Sequence, residues 1–295
     1  VPVLPLCLSR ASSMEGIALA LALVSPATPA PRALAASGAS LMPAASSLSR
    51  RQLATSALLA PAALALSEGV LVGAGVAHAA EPASLPIYFG CGCFWHVQHE
   101  FVLTERKVLG RKDAELTARA GYAGGLRTGQ DGKVCYHNLL RDSDYGKLGH
   151  AEAVALRIPP SKLPDFARLY FSLFVPYSFP GKTILERNDP QDAGPEYRSL
   201  LGLPGGVNSP LFGDIEAAAE GKWKLVEGKG NEPDTLLKRT VYVMDSDKFP
   251  FFPAEVYHQF HNDFKGPAYG REYNAIRDLL LTSGEIKPTG CPDMF

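Results

Sequence analysis

The residues with most capacity for chemistry lie between Ile87 and Phe101, and at their centre is a thiol, Cys93. Ile87 to Phe89 is a short apolar run of the kind that ends a buried strand. Gly90 and Gly92 then interrupt it and permit a tight turn. From Cys93 onward the spacing changes, with Phe94, Val97 and Phe101 at i, i+3 and i+7 on one face of a helix. Cys93 is therefore expected where a strand turns into a helix, beside backbone N–H groups that favour a thiolate. A cysteine in an apolar setting can equally be an inert buried thiol. The two glycines and the Phe94-Trp95 pair beside Cys93 favour a nucleophile.

A metal site is the competing reading. Cys91, Cys93, His96 and His99 run as C-x-C-x-x-H-x-x-H, and His258 and His261 form a second pair. Structural zinc sites usually space their cysteines by two to four residues and keep the histidines well away. Four donors packed around one helix start could hardly surround a single ion. The expectation is that no metal or other cofactor is held.

The elements that must position Cys93 are legible in part. A helix follows it, then a charged connection over 107–113, then a strand running into Gly121-Tyr122-Ala123-Gly124-Gly125. Residues 126–149 lack any period and read as a long ordered loop, a kind of segment that is usually functional. Glu152 opens a strand over 153–158, stopped by Pro159-Pro160. Leu163, Phe166, Leu169, Tyr170 and Leu173 mark a helix over 163–174. Residues 175–210 are rich in proline and glycine. A strand is expected over 239–244, a helix over 253–264 with Pro253 at its first position, and a last helix over 273–281. Cys291 falls in a loose tail. Strands alternating with helices, with a substantial irregular share, point to the α+β class. The expectation is a compact single domain with a small mixed β-sheet, flanking helices and long irregular loops.

Composition divides the 295 residues in two. Residues 1–80 contain no Phe, Tyr, Trp, Lys or Asp, and their charges are Arg10, Arg32, Arg50, Arg51, Glu15 and Glu68. A stretch without aromatic residues cannot build much of a core, so it reads as a leader, separate from a domain at 81–295. An apolar run from Met14 and an Ala-, Ser- and Pro-rich segment come first, as in transit peptides. Arg50-Arg51, an apolar stretch to Val76 and Ala77-His78-Ala79 follow, in the manner of a twin-arginine export signal. Pro61, Glu68 and the glycines break that stretch well short of the ~20 apolar residues of a membrane span. The layout implies plastid import and delivery to the thylakoid lumen, with bacterial-type periplasmic export as the alternative. No stable membrane insertion is expected after processing. Residues 81–295 carry 25 Lys and Arg against 28 Asp and Glu, so there is no basic excess for nucleic acid. Four cysteines there (Cys91, Cys93, Cys135, Cys291) are too few for a disulfide scaffold.

Four motifs in order carry a resemblance. Gly92-Cys93-Phe94-Trp95, Gly121-Tyr122-Ala123-Gly124-Gly125, Gly149-His150-Ala151-Glu152 and Asp192-Ala193-Gly194-Pro195-Glu196-Tyr197-Arg198-Ser199 resemble the A-type peptide methionine sulfoxide reductases. A weaker echo lies at Pro253-Ala254-Glu255 and His258-Gln259. The resemblance covers roughly residues 87–200 and implies a ferredoxin-like α/β roll. It also implies thiol-dependent reduction of the S epimer of methionine sulfoxide, free or protein-bound, by a monomer that a thioredoxin-like dithiol recycles. Such chemistry needs a thiolate to attack sulfur and a proton donor for the departing oxygen. Cys93 supplies the first, and Glu152 the second if its site is apolar enough to keep it protonated. Tyr136, Asp192 and Tyr197 match the family's donor cluster, and Gly92, Phe94 and Trp95 its substrate-binding positions. Trp95 is the candidate wall against the S-methyl group. A sulfenic acid on Cys93 would then need a second thiol. Cys291 is the favoured resolving cysteine because its tail looks mobile, with Cys135 and Cys91 as alternatives. A relative that binds oxidised methionine without turning it over is a further alternative, against which the intact Cys93 and Glu152 stand. The chain departs from the family at His96, across 177–189 and at Gly194-Pro195-Glu196, departures that bear on substrate preference and rate.

Overall fold

The computed structural model describes residues 84–137, 142–188, 191–262 and 269–292. The expected leader, residues 1–80, lies outside the described residues. The strand β1 (Leu85–Gly90) leads into the helix α1 (Phe94–Leu109), and β2 (Arg119–Ala123) and β3 (Ala151–Ile158) follow. Then come α2 (Leu163–Ser172), β4 (Phe174–Phe179), β5 (Lys182–Arg187) and β6 (Leu200–Leu203). The chain continues through α3 (Phe212–Ala219), β7 (Lys224–Glu227), β8 (Thr240–Asp245), β9 (Phe252–Pro253) and α4 (Glu272–Thr282). Seven strands form one mixed sheet in the order β7-β8-β6-β1-β3-β2-β9, and β4 with β5 makes a separate antiparallel pair. Pairing is antiparallel from β6 through β1, β3 and β2 to β9, and parallel where β8 meets β6 and β7.

The α+β class expected from the sequence is what the chain adopts, and the period-2 alternation of β1 shows how the core is built. Ile87 and Phe89 face the α1–α2 side, where Phe89 stacks on Phe101 at 4.9 Å and lies 5.2 Å from Tyr170. Tyr88, between them, faces a smaller cluster with Ala151, Ala153, Leu200 and Met244, and its hydroxyl donates to the Phe249 carbonyl at 2.9 Å. Helix α1 buries Phe94, Val97 and Phe101, the residues whose spacing predicts it, together with Val102.

The mixed sheet expected from the sequence runs to seven strands; its members β6 and β7 are four-residue strands without alternation, which local pattern cannot separate from loop. One expectation needs correction. The helix expected over 253–264 does not form over the described part of that stretch, residues 253–262, where a 3₁₀ turn, Val256–His258, follows β9. The outer edge of β2 claims this segment instead. Ala254 N–H donates to the Ala120 carbonyl at 2.9 Å. The Gln259 amide accepts from Ala120 N–H at 3.0 Å and donates to its carbonyl at 2.8 Å. Unpaired sheet-edge groups were at stake, and satisfying them outweighs local helix propensity.

Candidate active site

Cys93 sits at the junction the spacing predicts, in extended conformation as the N-cap of α1, and is buried. Gly92, just before it, has φ +79°, and a Cβ there would meet the Arg187 side chain at 3.1 Å. A side chain at this position is disfavoured both by conformation and by space. Gly92 N–H donates to the Tyr197 carbonyl at 3.1 Å, which ties the turn to the loop after β5. The first turn of α1 carries no acidic residue of its own, so no side chain within the helix neutralises its positive end. Cys91 points elsewhere, into the apolar core.

The acid comes from β3. Glu152 is buried, and its two oxygens are used differently. Oε2 accepts the backbone N–H of Phe94 at 2.9 Å, one residue from Cys93, and Oε1 accepts the Tyr145 hydroxyl at 3.3 Å. Burial pushes its carboxyl well above the ordinary carboxylate range, and the nearby Asp192 carboxylate pushes it further. Both effects favour the protonated form of Glu152.

Three tyrosines surround this carboxyl. Tyr136 and Tyr197 hydrogen-bond through their side chains, as do Tyr197 and Tyr145. The Tyr145 ring stacks on Tyr122 at 4.6 Å and on Tyr136 at 5.7 Å. Burial raises all three phenols above their usual range, so they remain O–H donors. Cys93, Glu152, Tyr136, Asp192 and Tyr197 are thus brought to one place, as the sequence motifs imply. Phe94 is buried while Trp95 stays partly exposed at the rim, stacked on His261 at 3.8 Å.

Tyr145 is the site residue that spacing misses. It lies in the periodless loop 126–149, where nothing local marks it out, and only the folded chain sets its hydroxyl on Glu152. Two buried arginines also matter. Arg198 donates to the carbonyls of Gly124, Gly149 and Pro195, at 3.0, 3.0 and 2.9 Å, and pairs with Glu232 at 3.2 Å. One side chain thereby holds three of the four motifs against one another. Arg187 does similar work for the Asp192 loop, donating to the Asp192 carbonyl at 2.5 Å and pairing with Asp234 at 3.0 Å. His150 is structural. Its Nε2 donates to the Arg127 carbonyl at 2.7 Å and its Nδ1 accepts Gly125 N–H at 3.1 Å, and burial lowers its pKa to about 4.

The metal reading is not supported where the sequence put it. His99 Nδ1 lies 3.0 Å from Glu100 Oε1, and its ring stacks on Tyr269 at 3.8 Å. Among the described residues, the donors that converge as a metal site would require belong to Cys135, Glu255 and Cys291, not to Cys91, Cys93, His96 and His99. Cys291 differs from expectation too. The sequence favours it as the direct partner of Cys93, yet it is bonded to Cys135, their Cα atoms 5.7 Å apart. Two polar contacts dock the tail that looks mobile in sequence: Lys133 Nζ donates to the Gly290 carbonyl at 3.0 Å, and Cys291 lies against the Val134 carbonyl.

Comparison with known proteins agrees with the motifs. The chain is similar to the peptide methionine sulfoxide reductase MsrA of Geobacter metallireducens, 28% identical over 180 residues that cover 60% of this chain and 90% of the relative. Its counterpart in Geobacter sulfurreducens matches to the same extent. The Streptomyces griseus protein is 25% identical, over 59% of this chain and 66% of its own. Among solved structures, methionine sulfoxide reductase A of Corynebacterium diphtheriae aligns with a TM-score of 0.35 and 16% identity, over 72% of this chain and 80% of that one. Mxr1 from Saccharomyces cerevisiae, in reduced form, aligns with a TM-score of 0.36 and 19% identity, over 71% and 92%. No protein-family model matches the chain.

Proposed function

The chain belongs, as a distant member, to the peptide methionine sulfoxide reductases of the MsrA type, and on that premise we propose that it reduces methionine S-sulfoxide, free or in proteins, to methionine. The observation that carries the reading is the Glu152 carboxyl, buried, raised in pKa and bonded to the N–H next to Cys93. In this reading the Cys93 thiolate attacks the sulfoxide sulfur while Glu152 gives its proton to the oxygen. The Tyr136, Tyr145 and Tyr197 hydroxyls stabilise that oxygen as charge grows on it, which is what preorganised donors contribute. The oxygen, now a hydroxyl, passes to the Cys93 sulfur as the substrate's S–O bond breaks. The bond between the two sulfurs breaks with its electron pair staying on methionine, which leaves, and Cys93 is left as a sulfenic acid. Trp95 at the rim meets the S-methyl group. A second thiol returns Cys93 to use through a disulfide, which a thioredoxin-like dithiol protein reduces.

The test is turnover of the purified protein with each sulfoxide epimer and excess dithiothreitol. Methionine is expected from the S epimer alone; turnover confined to the R epimer, or none, overturns the reading. The place of action in this proposal is the thylakoid lumen, on the strength of the leader. Changing Arg50-Arg51 to Lys-Lys in the full chain is expected to stop lumenal delivery without affecting plastid entry, as followed by organelle fractionation. Delivery that persists would assign the apolar stretch to another export route.

A further inference from the structure

Three donor atoms meet beside the cleft that the C-terminal tail borders. The Cys135 and Cys291 sulfurs and one oxygen of Glu255 all lie within 4.8 Å of one another. Cys135 and Glu255 are buried. Cys291 is partly exposed and lines a cleft of about 730 Å³, together with Lys133, Phe252, Pro253 and Lys287. The two sulfurs are joined in the structure, with their Cα atoms 5.7 Å apart. A disulfide sulfur carries no proton for a carboxylate to accept, so hydrogen bonding does not account for Glu255 lying against the pair. Once the disulfide is reduced, the same place holds two thiols and a carboxylate. Two soft donors and one hard donor form a set that suits zinc.

Each donor is held in place from outside the cluster. Glu255 Oε2 accepts the Tyr122 hydroxyl at 2.7 Å, and Oε1 accepts Tyr136 N–H at 2.9 Å. A carboxylate oxygen has a second lone pair, so both bonds can persist while the group binds a metal. Outer partners of this kind orient a ligand and form part of a metal site. The Glu255 segment is pinned in turn. Ala254 N–H donates to the Ala120 carbonyl at 2.9 Å, and Gln259 Nε2 donates to the Ala254 carbonyl at 3.0 Å. Cys135 is fixed through its backbone, its N–H donating to the Ser143 carbonyl at 2.7 Å and its carbonyl accepting Tyr145 N–H at 2.8 Å. Cys291 rides on the tail that Lys133 holds by the Gly290 carbonyl at 3.0 Å. Lys133 and Lys287 also offset the negative charge that two thiolates and a carboxylate leave around a divalent ion.

We propose that the reduced protein binds one zinc ion through the Cys135 and Cys291 thiolates and the Glu255 carboxylate, with a water in the fourth position, and that the ion and the 135–291 disulfide exclude each other. The cleft that Cys291 lines is the way in for the ion and the source of that water. Tetrahedral zinc with Zn–S bonds of ~2.3 Å sets two sulfurs roughly 3.8 Å apart. Side chains on Cα atoms 5.7 Å apart reach that separation by rotating about their own bonds. On binding, the two S–H bonds give their protons to solvent, two Zn–S bonds and one Zn–O bond form, and no electron moves. A two-electron thiol oxidant such as diamide takes those electrons from the sulfurs instead, joins them and expels the ion. Zinc thus keeps both thiols reduced until such an oxidant arrives. Binding needs no turnover at Cys93, so it stands whether or not the sulfoxide reaction does.

The test uses full-length protein, reduced and then freed of reductant in the absence of oxygen. Cobalt(II), a visible stand-in for zinc, is expected to bind once per chain. It should show the near-ultraviolet absorption of thiolate–cobalt bonds and the visible bands of a four-coordinate ion, and added zinc should abolish both. The same protein with its 135–291 disulfide closed is expected to bind none, which separates loss of the ligands from loss of the fold. Diamide added to the zinc-loaded protein is expected to release one zinc per chain, read with a chromogenic chelator. Cys135→Ser and Cys291→Ser should each lose at least half of the thiolate absorption. Glu255→Gln is expected to weaken zinc binding by ~10²-fold or more, since even the outer partners of metal ligands are worth roughly 10- to 100-fold. Glu255→Asp, which keeps a carboxylate, should recover part of that loss. No thiolate–cobalt absorption in the reduced wild type, absorption that survives both cysteine replacements, or equal binding by the disulfide form would overturn the site. An unchanged zinc affinity in Glu255→Gln would overturn the carboxylate's place in it.

Discussion

Cys93→Ser is expected to abolish methionine formation, with a loss on the order of 10⁴-fold or more, as removal of a covalent nucleophile commonly produces. The physical reason lies in the ionised fraction. A thiol gives a thiolate near neutral pH, more so at the capping position of a helix, whereas a serine hydroxyl there gives essentially none. Serine is close to isosteric with cysteine and is itself a favoured N-cap residue. The fold should therefore survive, and circular dichroism with a thermal melt checks that it does. The decisive reading is single-turnover methionine release from reduced protein. Release at more than a hundredth of the wild-type rate would move the nucleophile away from Cys93.

Glu152→Gln carries the second-largest effect, a slowing of the first turnover by ~10²-fold or more, the usual contribution of a general acid. Glutamine keeps an oxygen that can accept Phe94 N–H, so the loss reflects the proton and not the anchor. Two pH dependences accompany it. In wild type the acid form is the active one, so the rate should fall as pH rises through the raised pKa of Glu152, and Glu152→Gln should lack that limb. Stability runs in a related direction. A carboxyl whose folded pKa is raised leaves the unfolded state to ionise first, so wild type loses stability as pH climbs from the unfolded value toward the folded one. The glutamine variant has no such loss and should melt at the higher temperature above pH ~5. Equal melting temperatures across pH 4 to 9 would mean that Glu152 is ionised in the fold, and so would exclude it as the acid.

Histidine 150 works in the opposite sense, and the two can be told apart. Its folded pKa, lowered to about 4, makes it stabilising above its ordinary value, with that stability lost as pH falls toward 4. The two effects therefore have opposite slopes: stability from His150 is lost as pH falls toward 4, and stability from Glu152 is lost as pH rises from the ordinary carboxylate value.

Much of the fold and site can be read locally, and what cannot has a common cause. β1, α1, β3, α2, β8 and α4 lie where apolar runs or period-3.6 patterns predict them, the helices because each has one face in the core and one facing outward. The strands β6 and β7, the β4–β5 pair and the segment after β9 escape, because short or doubly buried segments carry no period and edge pairing follows from neighbours distant in sequence. The same division runs through the site. Gly92-Cys93 and the helical spacing after it place a thiol at a helix start, a matter of a few consecutive residues. The upward shift of Glu152 depends on its burial in the folded chain and on Asp192, 40 positions away.

By itself, then, the sequence determined that this chain has a cysteine at a strand-to-helix turn, a glutamate at the head of another strand, and three further cysteines beyond residue 80. Those are properties of residue type and short spacing, written into the chain before it folds. Only the tertiary structure decided that Cys291 is bonded to Cys135 and not to Cys93, that Tyr145 joins the acid, and that Arg198 holds three motif loops together. Each of these is a contact between segments tens to more than a hundred residues apart, with no periodicity to announce it. Such contacts arise because buried polar groups must find partners wherever the packed core leaves them.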